Sequence, residues 1–234
     1  AFESSKNYFL PEKVAVVGNP IRDTILNNNV SAEKAKQYFK FLSDKPVVLF
    51  LGGSQGSQRI NDLVLDCLEE LIKNDVQVLH QTGPKNFKEI FLEAKVILEF
   101  LPELYQNFYQ ARDFFHEPEY LNALAAADLI VARAGSGVIF EIAASKKPAI
   151  LIPLPEAAHN HQYLNAVEYA RFGGAIVIEE KNATVNLLAR NILDILDNPI
   201  KMNNMINGAK LFIKQDAAEI IAKEILNVLD LNFE

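Results

Sequence analysis

The clearest pattern in the chain is an apolar run followed by a glycine-rich turn and then by apolar residues at helical spacing. Val47–Leu51 contains only apolar residues, as expected for a strand that is buried on both faces of a parallel sheet. The turn Gly52–Ser57 follows, and apolar residues then recur every three or four positions up to Lys73. This segment predicts a strand, a tight turn and a helix.

The same alternation continues along the chain. The predicted strands are Val47–Leu51, Val76–His80, Ala111–Phe115, Leu129–Ala132, Ala149–Ile152 and Ala175–Ile178. The predicted helices are Ala32–Leu42, Ile60–Lys73, Phe87–Leu101, Glu119–Ala127, Val138–Ser145, His161–Arg171, Thr184–Leu196, Ile200–Lys214 and Asp216–Leu229. Strands that alternate with helices predict an α/β fold with a doubly wound, mostly parallel sheet. Residues 1–45 are predicted to form a lead-in that lies outside the sheet.

Composition narrows the class of protein. The 234 residues carry a net charge of −7, half of them are hydrophobic, and no block of basic residues occurs. Nothing therefore indicates a nucleic-acid partner. The one cysteine, Cys67, lies on the apolar face of a predicted helix, which excludes a disulfide framework and a cysteine-based zinc site. His80, His116 and His159 show no metal-ligand spacing, so no metal or cofactor is predicted.

Three predicted loops follow the carboxyl ends of strands, where doubly wound sheets bind their ligands. They are the glycine-rich turns Gly52–Ser57 and Arg133–Gly137 and the loop 153–162. Two helix N-termini that face one crevice suit a diphosphate and stabilise a leaving group that gains negative charge. One such turn alone is slightly more typical of an ordinary tight turn in an α/β domain, so the hypothesis of a phosphate site depends on the three loops together.

Individual polar residues near these loops have two interpretations each. Glu141 suits either two ribose hydroxyls or a favourable charge in the first turn of a helix. His161 and Gln162 either face the crevice or form a helix start at the surface. Arg22 either pairs with a phosphate or is a surface charge, and His80 is predicted to be a partly buried histidine with a hydrogen-bond partner.

A series of motifs resembles a known family. In chain order the motifs are Gly18–Arg22, Gly52–Gly56, His80–Gly83, Ala127–Gly135, Glu141–Ala144 and His161–Ala166. This series is similar to the C-terminal domain of the MurG family of bacterial glycosyltransferases. That family moves N-acetylglucosamine (GlcNAc) from UDP-GlcNAc to undecaprenyl-pyrophosphoryl-MurNAc-pentapeptide (lipid I), which yields lipid II for peptidoglycan.

The resemblance implies one half of a GT-B fold, a Rossmann-like domain that binds the donor UDP-GlcNAc. It implies a division into a lead-in with a remnant of the N-terminal domain (1–45), a donor-binding domain (46–214) and a helix that packs back on the N-terminal domain (215–234). The missing N-terminal domain would hold lipid I, the general base and the contact with the cytoplasmic face of the plasma membrane, where the enzyme would be peripheral. Transfer would be inverting and would need no metal on the protein.

The resemblance also implies which residues bind the donor. Arg22 and Ser54 would approach the diphosphate, the backbone near Phe115 would pair with uracil, and Glu141 would hold the ribose hydroxyls. The full predicted set is Arg22, Ser54, Gln55, Gly56, Phe115, Ser136, Gly137, Val138, Glu141, His161 and Gln162. The family often has threonine where this chain has Gly137 or Val138, so one hydroxyl contact to phosphate is missing here.

Two alternatives remain open at this point. One is another GT-B enzyme, such as a glycolipid transferase or a UDP-sugar epimerase. The other is a chain that is only the donor-binding subunit of a split transferase. Both alternatives share the donor crevice and differ in the acceptor and in the partner chain.

Overall fold

The computed structural model describes residues 2–155, 157, 160–214 and 216–228. Its centre is a parallel sheet of six strands. The strands are β1 (Val47–Leu51), β2 (Gln77–Gln81), β3 (Tyr109–Arg112), β4 (Leu129–Ala132), β5 (Ala149–Leu151) and β6 (Ala175–Val177). The prediction of a parallel α/β sheet is confirmed.

Helices cover both faces of this sheet. They are α1 (Asp23–Leu26), α2 (Ala32–Tyr38), α3 (Gln58–Lys73), α4 (Phe87–Glu99), α5 (Glu119–Ala126), α6 (Ser136–Ala144), α7 (His161–Arg171), α8 (Val185–Leu196), α9 (Pro199–Phe212) and α10 (Ala217–Val228). Short 3₁₀ segments occur at Glu3–Tyr8, Pro11–Lys13, Glu103–Tyr105 and Glu180–Asn182. No helix in the described part of the chain is long and apolar enough to cross a membrane.

The strand order places two loops side by side. The order is β3-β2-β1-β4-β5-β6, so the chain reverses direction across the sheet between β1 and β4. This reversal is the topological switch point at which open α/β sheets bind ligands. Leu51 at the end of β1 is in register with Ala132 at the end of β4. The two glycine-rich turns therefore leave the sheet next to each other.

The sheet separates two apolar layers. One contains Leu49 and Ile130 from the central strands, and the other contains Val48, Phe50 and Val131. Neighbouring residues of a strand point to opposite faces, so an unbroken apolar run can supply both layers. Cys67 is buried in the second layer, and this burial raises the pKa of its thiol to about 12.

Residues before the sheet pack on the first of these layers. Phe2, Ile25 and Phe39 are buried there, and the ring of Phe2 lies 5.3 Å from that of Phe140 in α6. The backbone amides of Glu3 and Ser4 donate to the carboxylate of Glu168 in α7. This segment forms no strand, as the sequence predicts.

Most predicted bounds agree with the structure to within about two residues, and two elements differ by more at one end. The third strand is Tyr109–Arg112, whereas Ala111–Phe115 was predicted, because only alternate residues of this edge strand are buried. The aromatic pair that follows resembles a strand in sequence but lies in a loop. The first long helix ends at Tyr38 and not at Leu42, because Lys40 adopts a left-handed backbone conformation with φ of +56°.

A third difference affects the candidate chemistry. Helix α6 begins at Ser136, two residues before the predicted start at Val138. Glu141 therefore lies beyond the first turn, which contains no acidic residue. The interpretation of Glu141 as a first-turn charge is wrong, because the dipole effect falls off within the first turn.

Candidate functional site

Two adjoining clefts open at the carboxyl edge of β1 and β4. The Glu141 cleft has a volume of about 380 Å³ and is lined by Arg22, Leu51, Gly53, Ser54, Gln81, Phe114, Phe115, His116, Glu117, Tyr120, Val138 and Glu141. The Gln162 cleft has a volume of about 440 Å³ and is lined by Gly52, Gly53, Ser54, Gln55, Gly56, Ser57, Gln58, Arg59, Arg133, Gly135, Val138, Leu154 and Gln162. Gly53, Ser54 and Val138 line both clefts, so the two clefts lie next to each other.

The structure brings most predicted site residues to these clefts. Those that line at least one of them are Arg22, Ser54, Gln55, Gly56, Phe115, Val138, Glu141 and Gln162. Ser136, Gly137 and His161 line neither cleft. Ser136 and Gly137 lie in the first turn of α6, and His161 is the first residue of α7. Their roles toward a ligand stay predictions.

The first glycine-rich turn packs closely against the end of β2. Gly56 has a φ of +80°, and a Cβ atom placed on it would lie 2.2 Å from the carbonyl oxygen of Thr82. Only glycine fits there, because the conformation and the contact both exclude a side chain. Ser57 then caps α3 by accepting a hydrogen bond from the amide of Ile60. The turn is held against the sheet while the N-terminus of α3 faces the Gln162 cleft.

Arg133 ties this turn to two other loops. Its guanidinium donates to Ser57 Oγ over 2.7 Å and to the carbonyl oxygens of Ile152 and Pro153. It also forms an ion pair with Glu180, and only 8% of its surface is exposed. The loops that follow β1, β5 and β6 therefore meet at one buried cation. Arg133 lies within the motif Ala127–Gly135, but it is not among the site residues predicted from the sequence.

The second glycine-rich turn is more open than the first. Gly135 precedes α6 without a side-chain cap, and a Cβ placed on Gly135 or Gly137 would have no described atom within 4 Å apart from the adjacent residues and, at Gly137, the backbone of its own helix. The hydroxyl oxygen of Ser136 is buried and makes no hydrogen bond to any described residue. Space and polar groups at the start of a helix are suited to an anion.

Both carboxylate oxygens of Glu141 have partners. Tyr120 donates its hydroxyl to Oε2 over 2.8 Å, and Arg22 Nη2 lies 3.0 Å from Oε1. The Arg22 guanidinium also pairs with Glu117 at 3.4 Å and lies 5.2 Å from the centre of the Tyr120 ring. Burial, and after it the nearby Glu141 charge, raises the pKa of Tyr120 well above its usual value. Tyr120 therefore remains a protonated donor that orients the carboxylate.

Arg22 lies beside Glu141 in the cleft that Ser54 also lines, and its contact with a phosphate stays a prediction. Tyr120 and Glu117 were not predicted from the sequence. Tyr120 in α5 contacts Glu141, and Glu117 in the loop before α5 contacts Arg22. These partners are far away in the chain, and a local sequence pattern does not predict such contacts.

Gln162 faces the crevice from the start of α7. Its side-chain oxygen accepts a hydrogen bond from the amide of Leu154, and Gln162 lines the Gln162 cleft. It therefore connects α7 to the loop after β5. His159 lies outside the described residues.

A buried polar network lies behind the first glycine-rich turn. His80 Nε2 is 2.9 Å from Asn61 Oδ1, and His80 Nδ1 is 3.0 Å from the Tyr109 hydroxyl. Asn61 also donates to the carbonyl oxygen of Thr82, which contacts Gly56. His80 is fully buried, not partly buried as predicted, and this burial lowers its pKa to about 3. The imidazole therefore stays neutral and supports the turn.

The described residues contain no cluster of three or more side chains that could hold a metal ion. The clefts instead combine helix N-termini, one carboxylate with a fixed orientation, and backbone groups from several loops. Such a set can hold a phosphorylated ligand that also carries hydroxyl groups.

Comparisons with known proteins agree with this geometry. Residues 47–222 match the glycosyltransferase family 28 C-terminal domain. The chain is 35% identical over 224 residues to the UDP-N-acetylglucosamine–N-acetylmuramyl-(pentapeptide) pyrophosphoryl-undecaprenol N-acetylglucosamine transferase of Anaeromyxobacter dehalogenans. That alignment covers 95% of the chain and 54% of the relative. The enzyme of the same name from Thermoanaerobacter is 36% identical over 229 residues, with 97% of the chain and 60% of the relative covered. The chain thus spans little more than half the length of these curated relatives.

Solved structures show the same fold. The crystal structure of Acinetobacter baumannii MurG matches with a TM-score of 0.72 and 23% identity, covering 94% of the chain and 62% of the MurG chain. A structure of S. aureus MnaA with UDP matches with a TM-score of 0.70 and 15% identity, covering 99% of the chain and 58% of the MnaA chain. The predicted fold class, one half of a GT-B architecture, is confirmed. The family match covers most of the chain, and the chain therefore belongs to glycosyltransferase family 28 through the C-terminal domain of that family.

Proposed function

We propose that this chain is the donor-binding portion of an inverting glycosyltransferase that moves GlcNAc from UDP-GlcNAc to lipid I. The structural observation that carries the proposal is the meeting of two helix N-termini and Glu141 at the switch point between β1 and β4. The names of the curated relatives supply the donor and acceptor. In bacteria this reaction belongs to peptidoglycan synthesis.

Each part of the site has a role in this proposal. The N-termini of α3 and α6 face the diphosphate, and their amides offset the charge that develops as UDP leaves. Glu141 accepts hydrogen bonds from the ribose hydroxyls, and Tyr120 holds it in the orientation to do so. Segment 114–116 faces the uracil, and His161 with Gln162 faces the sugar. Arg22 lines the Glu141 cleft and pairs with the diphosphate after it releases the carboxylates of Glu117 and Glu141.

The acceptor half of the reaction belongs to an N-terminal domain under this proposal. That domain would supply the general base, lipid I binding and peripheral contact with the cytoplasmic face of the membrane. Helix α10 would pack on it, since Ile225 and Val228 are 54% and 83% exposed in the structure. The division into residues 1–45, 46–214 and 215–234 is part of the proposal.

Nucleotide-dependent thermal stabilisation tests the donor assignment. A ligand that binds only the folded state at 100 times its dissociation constant stabilises it by about 2.7 kcal/mol. For a chain of this size, each kcal/mol raises the melting temperature by about 2–4 °C. We expect UDP and UDP-GlcNAc to raise it clearly more than ADP or NAD at the same concentration. Equal or greater stabilisation by NAD would contradict the proposal.

A transfer assay then tests the division of labour. We expect residues 1–234 alone to transfer no labelled GlcNAc to a lipid I analogue, and activity to return when a separately made N-terminal domain is added. A positioned general base contributes about 10²–10⁴-fold, and the positioning of the acceptor contributes more. Robust turnover by the chain alone would show that the catalytic groups lie within it.

A further inference from the structure

Gln81 makes a bridge between two loops of the Glu141 cleft. It is the last residue of β2, and only 5% of its surface is exposed. Its Nε2 atom donates to the carbonyl oxygen of Gly53 over 3.0 Å, and its Oε1 atom accepts from the amide of Phe115 over 3.1 Å. A carbonyl only accepts and a peptide N–H only donates, so these partners fix the orientation of the side-chain amide.

The bridge adds one hydrogen bond to each of the two loops. The Gly53 carbonyl also accepts from the amide of Gly56, so the Gln81 bond is added to the bond that closes the first turn. On the other side, Phe115 lies in the loop after β3, and its amide is held by Gln81. Among uncharged side chains of this length, only glutamine offers a donor and an acceptor that can satisfy both groups at once.

The two loops have different tasks under the proposed function, on which this inference rests. The turn Gly52–Ser57 faces the diphosphate, and segment 114–116 faces the base. We propose that Gln81 is a positioning residue that fixes the base-facing segment relative to the phosphate-facing turn, and that it thereby sets the preference for uracil over cytosine. The edges of these two bases differ in their pattern of donors and acceptors, so a small shift of the backbone changes which of them is satisfied.

The same strand provides a matched control. Gln77 is the first residue of β2, only 1% of its surface is exposed, and its side-chain amide also bonds to the backbone of another segment, at Leu42. It differs from Gln81 in lying at the opposite end of the strand, away from both clefts. Gln77→Met and Gln81→Met both remove hydrogen bonds from a side-chain amide to backbone at similar burial, three at Gln77 and two at Gln81.

The experiment measures dissociation constants for UDP and CDP by calorimetry in the parent chain and the two methionine variants. We expect Gln81→Met to lower the UDP-to-CDP affinity ratio at least about fivefold, the effect of one lost hydrogen bond. Gln77→Met should lower the melting temperature and leave the ratio within about twofold, since the bonds that it loses lie outside the site. An unchanged ratio in Gln81→Met would overturn the inference whatever its stability. Failure of the parent to bind UDP would instead overturn the proposed function.

A second variant keeps the test decisive if Gln81→Met does not fold. In its ionised form the carboxylate of Gln81→Glu accepts from the amide of Phe115 but cannot donate to Gly53, so the binding measurements are made at a pH at which this carboxyl is ionised. We expect its affinity for uridine to stay near that of the parent and its affinity for UDP to fall by about fivefold or more. Equal losses for uridine and UDP would contradict a bridge with two separate ends, as would no loss for either.

Discussion

The two glycine-rich turns look alike in sequence but differ in their surroundings. The first, Gly52–Ser57, is in contact with Thr82 and is bonded to Gln81 and Arg133. The second, which leads into α6, has open space around its glycines and a buried hydroxyl without a described partner. In the first turn glycine is required, because a side chain on Gly56 would collide with the backbone of Thr82. In the second turn no such collision excludes a side chain, and its glycines leave space for a ligand beside the start of α6. The first turn is therefore the fixed side of the site.

The largest expected effect breaks the first turn. Gly56→Ala forces a Cβ against the Thr82 carbonyl in a left-handed conformation, and we expect it to lower the free energy of unfolding by about 2–4 kcal/mol. Gly137→Ala is the control, since nothing lies within 4 Å and its φ is not positive. It should change stability by less than about 1 kcal/mol. Urea unfolding measures both, and similar losses in the two variants would remove the distinction between the turns.

The second prediction concerns the carboxylate beside the open turn. Glu141→Ala should weaken UDP binding at least tenfold with the fold intact, because hydrogen bonds to a charged group contribute about 1.5–3 kcal/mol each. Glu117→Ala, which also removes a partner of Arg22, should have little effect. A 2′-deoxy analogue of UDP should bind the parent and Glu141→Ala with more similar affinities than UDP does. Unchanged UDP affinity in Glu141→Ala would show that its bonds to Arg22 and Tyr120 are structural.

The third prediction examines the support behind the first turn through pH. His80 has a pKa of about 3 in the folded protein and about 6.5 when unfolded, so between these values the unfolded state binds more protons. The stability contribution is complete above pH 6.5 and is lost as the pH falls toward 3. The loss approaches about 1.4 kcal/mol per pH unit.

The measurement compares urea unfolding at pH 7 and pH 5 in the parent, His80→Gln and the exposed control His116→Gln. We expect the parent and His116→Gln to lose more stability on acidification than His80→Gln does. Equal losses in all three would show that His80 becomes protonated in the folded state.

The sequence predicts the fold well because most strands are short and uniformly apolar. Val47–Leu51 and Leu129–Ala132 have the same bounds in prediction and structure, since burial on both faces leaves a continuous apolar run. The edge strand was misplaced because it is buried on one face only, and the aromatic Phe114 and Phe115 after it are more apolar than the strand itself.

The candidate site was predictable only in part. The turn that carries Ser54 and Gly56 was predictable because its backbone requires glycine, and both residues line a cleft. Their role in donor binding stays a prediction taken from the family resemblance. The Tyr120 side chain makes one hydrogen bond and the Gln81 side chain makes two, each to another segment of the chain, and neither residue type nor spacing reveals such bonds. The dependence of Glu141 on Arg22, 119 positions away in the chain, is of the same kind.

The guanidinium of Arg133 also bears on the thermodynamics of binding. Because the buried Arg133 guanidinium joins Ser57, Pro153 and Glu180, these three positions are held together in the folded protein. A ligand that contacts these positions meets groups that are already in place, and the entropic penalty of arranging them does not reduce its affinity. We expect donor binding to be accompanied by a small change in heat capacity, typical of a preformed cleft and not of coupled folding.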